Sequence, residues 1–230
     1  ARLCRTVNEW VAAALGIRAA ARVTCVKPEG TAALLLGTAP GIHPHPARRY
    51  LRRVRADPDG PVCRRFAAVN PAMTEAAGAP AETGFLLVFP VAAPAGAIVR
   101  ADLSAVDFLR LVRFVQRHWV RAGEAPRTRS PGLHHNVSHT CMVRAGEWDA
   151  VARYLWRHRA DFSGVALLAD AALRRYPNAP VQPVVSAAEA RRWSRLRYRP
   201  VDYTRAGAAR GAAGGADACK SGECDFPRQA

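Results

Sequence analysis

Apolar and polar residues recur along the first part of the chain with spacings that predict two helices and a short strand. Apolar residues at helical spacing predict the first helix, namely Leu3, Val7, Trp10, Val11 and Ala14. Gly16 stands where a helix C-terminal cap is expected. The β-branched character of residues 22–26 predicts a short strand, and the apolar run 32–36 predicts a second helix.

The middle of the chain combines an arginine-rich segment with a long irregular connection. Residues 47–55, ARRYLRRVR, keep their apolar positions at helical spacing, which predicts a helix with a solvated basic face. Residues 57–84 are rich in Pro, Gly and Ala, so we expect a connection that contains one short helix. The apolar run FLLVFPV at 85–91 predicts a strand that is buried on both faces.

Helices and strands alternate in the C-terminal half. Ser104 and Asp107 resemble the capping box that starts a long helix. The apolar face of this helix comprises Phe108, Leu111, Val112, Val115 and Trp119. Residues 136–143 and 165–168 predict two further strands. The helix between them has an apolar face of Trp148, Val151, Ala152, Leu155 and Trp156, and we expect both tryptophans in the core. This alternation predicts an α/β architecture with mostly buried strands.

The formal net charge of +16 comes almost entirely from arginine, since Lys27 and Lys220 are the only lysines. A basic surface attracts phosphate chains, but these arginines are scattered rather than gathered into one tract. We therefore expect anionic small substrates and no direct nucleic-acid binding. No apolar run approaches the length of a membrane span, so we expect a soluble, cytoplasmic protein without membrane contact. The chain starts at Ala1 within a helical pattern, and we expect it to be a piece of something longer.

Cysteines and histidines predict no metal site. A buried, inert thiol is expected at the four isolated cysteines, Cys4, Cys25, Cys63 and Cys141. His43 and His45 lie in a loop with several prolines, and no carboxylate partner is near them in sequence. We interpret both as loop residues rather than metal ligands or acid/base groups.

The periodic pattern stops after Tyr203. Residues 205–230 have no apolar face, which predicts a disordered tail. This tail carries Cys219 and Cys224, with a Ser-Gly turn between them. Zinc would need two further ligands, so a redox-active dithiol is favoured. A flexible linker of this length spans about 25 Å, enough to carry thiols from a buried site to an outside reductant.

The turn between the predicted strand and the second helix has the features of a phosphate-binding loop. Pro28 and Gly30 shape the turn, and Thr31 is a good N-cap. Unpaired N–H groups at a helix start attract anions, and Lys27 and the Thr31 hydroxyl add to that attraction. The same arrangement also occurs in α/β proteins as a connection without a ligand, so both interpretations stay open on spacing alone.

Four features occur in one order along the chain: residues 23–31 (VTCVKPEGT), residues 39–44 (APGIHP), the segments HHNVSHT, EWDAV, FSGVALL and YPNAP within 134–180, and the terminal pair Cys219 and Cys224. Together they resemble the C-terminal part of an adenosylcobalamin-dependent (class II) ribonucleotide reductase of the ribonucleoside-triphosphate type. The first feature is similar to the family's substrate-phosphate loop and the second follows it at the family's spacing. The third is similar to the closing strands and helices of the catalytic barrel, and the fourth to its shuttle dithiol.

This resemblance implies that residues 1–204 are the C-terminal portion of the ten-stranded reductase α/β barrel and that 205–230 are a tail with the redox dithiol. It implies reduction of ribonucleoside triphosphates by cobalamin-initiated thiyl-radical chemistry. The implied cofactor is adenosylcobalamin, and the implied reductant is thioredoxin or a similar protein. The resemblance also implies phosphate binding at Pro28, Glu29, Gly30, Thr31 and Ala32, and electron shuttling at Cys219 and Cys224.

Two departures limit what this chain can do alone. The family commonly has a small hydroxyl residue at the position of Glu29, and a carboxylate repels phosphate, so Glu29 is expected to bind through its backbone N–H. The radical cysteine, the two reducing cysteines and their assisting Asn and Glu have no match here and are expected upstream of Ala1. The alternative interpretation is a non-enzymatic nucleotide- or phosphate-binding α/β module with a redox-active tail.

Overall fold

A computed structural model describes residues 2–30, 32–76, 84–123, 132, 134–171 and 179–204. The helices are α1 (Arg2–Ala14), α2 (Ala32–Leu36), α3 (Pro61–Val69), α4 (Ala105–Val115), α5 (Trp148–Arg157) and α6 (Ala187–Arg195). The strands are β1 (Arg49–Ala56), β2 (Thr74–Ala76), β3 (Phe85–Ala92), β4 (Cys141–Val143), β5 (Leu167–Ala169) and β6 (Val181–Pro183). The tail with Cys219 and Cys224 lies outside the described residues.

Four strands form an antiparallel sheet in the order β2-β3-β1-β6. In the central pair, Arg49 of β1 lies opposite Ala92 of β3, and the register continues to Ala56 opposite Phe85. The prediction of a helix over residues 47–55 is therefore wrong. A helical spacing fits the apolar residues Tyr50, Leu51 and Val54. The segment nevertheless forms a strand, because pairing with β3 along the whole length of β1 satisfies its backbone hydrogen bonds.

A first core covers one side of this sheet. It contains Leu51, Phe66, Met73, Val88 and Leu196. In β3, Leu86 and Val88 are buried while the residues beside them are partly exposed, so the prediction of burial on both faces is wrong. An antiparallel sheet of this kind commonly packs one face against the core and leaves the other face more exposed to solvent. The predicted connection over 57–84 contains α3, as expected, and also the short edge strand β2.

A second core lies between α4, α5 and the parallel pair β4-β5. It contains Ala105, Phe108, Leu109, Val112, Val137, Cys141, Val143 and Val151. Cys141 lies opposite Leu167 in register, and α5 provides the crossover that two parallel strands require. The mixed α/β class is thus confirmed. The described strands form one four-stranded and one two-stranded sheet, and a ten-stranded barrel remains an expectation.

The predicted helix boundaries agree closely with the structure. Gly16, with φ of +66°, follows α1 as a left-handed C-terminal residue. Ser104 caps α4, since its Oγ accepts the backbone N–H of Asp107 at 3.1 Å. After Val115 the helix continues as a π-helical stretch, Gln116–Arg121. No helix in the described ranges is both long enough and apolar enough to cross a bilayer.

Two predictions of burial are wrong. Trp148 is 40% exposed and Trp156 is 72% exposed, because Val151 is the residue through which α5 enters the core. The Trp156 ring instead stacks with the Arg159 guanidinium, whose carbon lies 4.7 Å from the ring centroid. Among the isolated thiols, Cys63 and Cys141 are buried as expected, whereas Cys4 and Cys25 are exposed.

Candidate functional site

The segment before α2 runs alongside the segment that leads into β4. Val26 and Val137 form a parallel bridge, and the backbone N–H of Ser138 donates to the Val26 carbonyl at 2.9 Å. The strand predicted over 22–26 is therefore reduced to this one bridge. Even so, the bridge ties the VTCVKPEGT segment to the HHNVSHT segment.

The turn that precedes α2 is exposed to solvent at Lys27, Pro28, Glu29 and Gly30, and Ala32 is exposed as well. The Glu29 carbonyl accepts the backbone N–H of Ala33 at 3.1 Å, which is the first helical hydrogen bond of this element. The N–H groups ahead of such a bond have no acceptor within the helix and point outward. Thr31, the predicted N-cap and phosphate ligand, lies outside the described residues.

The APGIHP loop packs directly against this turn. Gly41 has a φ of +63°, and a Cβ at this position would lie 2.8 Å from the Lys27 carbonyl oxygen and 3.0 Å from the Pro28 Cα. Real Cβ atoms do not approach backbone so closely, so glycine is required for both the conformation and the contact. Gly41 thereby allows the loop to contact the turn at Lys27 and Pro28, next to Val26, which is bridged to Val137.

His43 joins the same loop to the HHNVSHT segment. Its Nε2 accepts the backbone N–H of Thr140 at 3.0 Å, and its Nδ1 lies 3.1 Å from the Pro40 carbonyl oxygen. Since a backbone N–H donates and a carbonyl accepts, the ring carries its proton on Nδ1 and is neutral. Burial lowers the pKa of His43, and the hydrogen bond to Pro40 opposes that shift. His43 therefore acts as a structural link, consistent with its interpretation as a loop residue.

Two further histidines in or beside these segments, His45 and His139, are buried. His45 is paired through its backbone with the segment at Val99, and it is 7% exposed. Nδ1 of His139 lies 2.6 Å from the Val137 carbonyl oxygen, and burial lowers the pKa of His139. The Phe108 ring lies between His43 and His139, with centroid distances of 5.5 and 5.9 Å.

Gln116 is a positioning residue that sequence reasoning missed. Its buried amide donates from Nε2 to the His135 carbonyl at 2.8 Å and to Ser163 Oγ at 3.1 Å, while Oε1 accepts the Val137 N–H at 3.0 Å. The signal was a polar residue four positions after Val112 on the apolar face of α4. A buried polar side chain at such a position is informative because it requires partners.

The three segments with sequence motifs thus meet in space, although they are far apart in the chain. The turn at 27–30, the loop at 39–44 and the segment at 134–140 are linked by one backbone bridge, one glycine contact and one histidine. Among the described residues, no group of three or more His, Cys, Asp or Glu side chains could hold a metal ion.

Comparison with known proteins gives one relative by sequence and one by structure. No family model matches the chain. The adenosylcobalamin-dependent ribonucleoside-triphosphate reductase of Euglena gracilis is 34% identical over 113 residues, which cover 49% of this chain and 15% of that enzyme. The crystal structure of a B12-dependent (class II) ribonucleotide reductase aligns with a TM-score of 0.54 at 20% identity, over 85% of this chain and 26% of that one.

The matched regions span about a quarter or less of the length of these two proteins. At 20% identity the structural match shows a shared fold, while the sequence match covers half of this chain. The chain thus resembles part of an adenosylcobalamin-dependent (class II) ribonucleotide reductase both in its sequence and in its fold, as its motifs predicted.

Proposed function

We propose that this chain is the C-terminal part of a class II ribonucleotide reductase that converts ribonucleoside triphosphates to deoxyribonucleoside triphosphates. In this proposal residues 1–204 complete the catalytic barrel and residues 205–230 carry the redox dithiol. The observation that carries the proposal is the meeting of the three motif segments, because separate motifs form one site only when the fold joins them. The similarity to the Euglena gracilis reductase supports the same conclusion.

Within this proposal the turn from Pro28 to Ala32 binds the phosphates of the substrate. Its exposure leaves the backbone N–H groups accessible, and the Lys27 side chain adds a positive charge beside them. Contacts with Gly41 and Val137 position residues 26–28 at the start of the turn, which reduces the ordering needed when an anion binds. Because a carboxylate repels phosphate, Glu29 contributes its backbone N–H to this binding and not its side chain.

Adenosylcobalamin would supply the radical that starts the reaction in the complete enzyme. The described residues show no fit to this cofactor: a cleft with residues of both sheets in its walls is lined by guanidinium groups, which suit an anion rather than a corrin ring. We therefore assign no residue of this chain to the cofactor.

The pair Cys219 and Cys224 is proposed to return electrons to the active site. Each turnover leaves a disulfide between two cysteines that are absent from this chain. The two tail thiols reduce it by thiol–disulfide exchange and become a disulfide themselves. Thioredoxin or a similar dithiol protein then reduces the tail disulfide, so that two electrons and two protons enter for each ribonucleotide reduced.

The proposal is tested with the product of the reading frame extended upstream of Ala1. This protein is incubated with ribonucleoside triphosphates and a dithiol, with and without adenosylcobalamin, and deoxyribonucleotides are measured by chromatography. We expect product only in the presence of the cofactor. If a folded, extended protein with further barrel cysteines forms no deoxyribonucleotide, the reductase proposal is wrong and the chain is better described as a phosphate-binding module.

A further inference from the structure

A cleft of about 850 Å³ is lined by residues of both sheets and also by His43 and Thr140. Residues of β1 and β6 form one wall, and residues that follow β4 and β5 form another. None of the described residues of the turn lines this cleft. The cleft therefore adjoins the candidate site through His43 and Thr140, but its described lining does not include the turn assigned to substrate phosphate. Its volume is typical of pockets that enclose a small organic ligand.

The charge of the cleft is strongly unbalanced. The cationic side chains that line it are Arg48, Arg49, Arg53, Arg100 and Arg144, and the carboxylates are Asp170 and Glu189. Three of the arginines have carboxylate partners that do not line the cleft: Asp102 for Arg48 at 2.9 Å, Glu75 for Arg53 at 3.5 Å and Glu147 for Arg144 at 3.4 Å. In the part of the chain that the structure describes, no carboxylate lies within ion-pair distance of Arg49 or Arg100.

Arg100 is the less exposed of these two. Its backbone is fixed, because its N–H donates to the His45 carbonyl at 2.8 Å. Burial lowers the pKa of its guanidinium, and the charge of Asp170 acts in the opposite direction. Asp170 compensates the lost hydration of this guanidinium only through its charge, because among the described residues no carboxylate lies within ion-pair distance of Arg100. The guanidinium is thus ready to bind an anion from solution.

Arg49 is held in a defined place as well. Its guanidinium carbon lies 5.5 Å from the centre of the Trp193 ring, and the indole N–H of Trp193 donates to the Val91 carbonyl at 3.2 Å. Stacking on an aromatic face leaves the edge of the guanidinium, which carries the N–H donors, free to bind an anion. Two positioned guanidinium groups therefore line one cleft.

The carboxylate of Glu189 is negatively charged, but its oxygens are already engaged at the start of α6. Its two oxygens accept hydrogen bonds from Gln182, from the backbone N–H groups of Val185 and Ser186, and from the Ser186 hydroxyl. These bonds at the start of α6 lower the pKa of Glu189 to about 2. Glu189 is thus hydrogen-bonded as a helix cap, and the five arginines of the lining still outnumber its two carboxylates.

The position of the cleft in the fold is also one where ligands bind. Arg144 and Asp170 directly follow the parallel strands β4 and β5, at their carboxyl ends. In α/β sheets ligands occupy the crevice outside these ends, since side chains and loops converge there. Phe108 and Met142 add an apolar surface to the same wall.

We propose that this cleft is a second anion site that binds a triphosphate chain, either free or attached to a nucleoside, through Arg49 and Arg100. One guanidinium group can bind two phosphate oxygens at once. Two guanidiniums without a carboxylate partner therefore suit a ligand with several negative charges. This inference does not depend on the reductase activity, because it involves none of the residues assigned to the substrate-phosphate turn.

The test is isothermal titration calorimetry of the full chain with inorganic triphosphate and with ATP, at one fixed salt concentration. Every protein titrated also carries Thr31→Ala, which is expected to weaken binding at the turn. The measured heat then comes from binding in the cleft. We expect both anions to bind and Arg100→Gln to weaken their binding at least tenfold, while Arg100→Lys, which keeps the charge, weakens it less. Equal affinities indicate that the phosphates alone are recognised, and tighter ATP binding indicates that the Phe108 wall holds the nucleoside.

Arg64→Gln is the matched control, because Arg64 is an exposed arginine outside the cleft, 3.9 Å from Asp59. It should leave the affinity unchanged. Circular dichroism shows whether each variant is folded, and Arg49→Gln replaces Arg100→Gln if the latter is not. The proposal is overturned if neither anion binds, if the folded arginine variants bind as tightly as the parent, or if Arg64→Gln weakens binding as much as they do.

Discussion

The backbone N–H of Thr140 donates to Nε2 of His43, a residue 97 positions earlier in the chain, at 3.0 Å. This one bond links the loop beside the proposed phosphate turn to the segment that enters β4. It requires a neutral imidazole with its proton on Nδ1, since a protonated ring has no lone pair to offer Thr140. The link is therefore sensitive to pH.

We expect the free energy of unfolding to decrease as the pH falls below about 6.5, the usual pKa of a histidine in an unfolded chain. Burial lowers the folded-state pKa of His43 and of His139, so the unfolded state takes up protons first. The contribution of these histidines to the free energy of unfolding is thus fully present above their pKa in the unfolded chain. It is lost as the pH falls towards their lowered pKa in the folded chain. Urea unfolding at pH 7.5 and at pH 5.5 measures this difference.

In His43→Gln the unfolding free energies measured at pH 7.5 and at pH 5.5 should differ less, because one of the two buried histidines no longer titrates. The variant should also lose about 1 kcal/mol at pH 7.5, the usual net contribution of one hydrogen bond to stability. An unchanged pH dependence in His43→Gln would show that this histidine does not stay neutral in the fold.

Substitution of Gly41 should separate backbone strain from loop packing. Gly41 and Gly37 both have a φ of +63°, but an added Cβ meets the Lys27 carbonyl at position 41 and nothing within 4 Å at position 37. Both alanine variants carry the cost of a left-handed residue, about 1 kcal/mol. Gly41→Ala should lose a further 1–3 kcal/mol, roughly the cost of overpacking. Equal losses in thermal or urea unfolding would contradict the close contact of the two loops.

Helices with a continuous amphipathic pattern were predictable from the sequence, as α4 and α5 show. Their apolar residues recur over several turns, and Ser104 marks the start of α4 with a local hydrogen bond. Strand β1 was not predictable in the same way. Its apolar positions fit either period, and only pairing with β3, a segment distant in sequence, decides between helix and strand.

The candidate site was predictable only in part. The motif segments were identified by their resemblance to a family, but their meeting depends on tertiary contacts at Gly41, Val137 and Thr140 that no local pattern encodes. The pattern of residues 47–55 predicts a solvated basic face. Arg48, Arg49 and Arg53 of this segment instead line a cleft that also includes residues at the carboxyl ends of β4 and β5, which local sequence cannot reveal.

Gln116 should contribute more to stability than any single exposed hydrogen bond. In Gln116→Leu, which has a similar shape, the buried Val137 N–H and the His135 carbonyl both lose their partner. Unpaired buried polar groups cost about 1–3 kcal/mol each, so we expect a loss of about 2–4 kcal/mol in urea unfolding. Ser163→Ala, the control, removes one of the three bonds at an exposed residue and should cost less than about 1 kcal/mol. Similar losses in the two variants would refute the central role of Gln116.

The double variant Cys219→Ser with Cys224→Ser should separate electron delivery from catalysis in the extended protein. We expect steady-state deoxyribonucleotide formation with thioredoxin to be abolished, while the first turnover of prereduced enzyme is kept. Cys4→Ser, at an exposed thiol outside the tail, is the control and should keep steady-state turnover. Continued turnover of the double variant with thioredoxin would remove the shuttle role from the tail.

The thiols of the folded part should differ widely in reactivity. Cys141 is fully buried in β4, and burial together with the charge of Glu147 raises its pKa to about 12. Burial also raises the pKa of Cys63. Since the thiolate is the reactive form, neither should react with iodoacetamide at pH 7.5, whereas the exposed Cys4 and Cys25 should.

Peptide mass spectrometry after timed labelling of the native chain measures this order, and labelling in urea shows that every site can react once unfolded. Labelling of Cys141 as fast as Cys25 in the native chain would show that β4 opens readily. Protection of Cys141 would instead mean that the strand following the HHNVSHT segment stays closed on the core. Cys141 would then be a packing residue of β4 and could not take part in thiol–disulfide exchange without local unfolding.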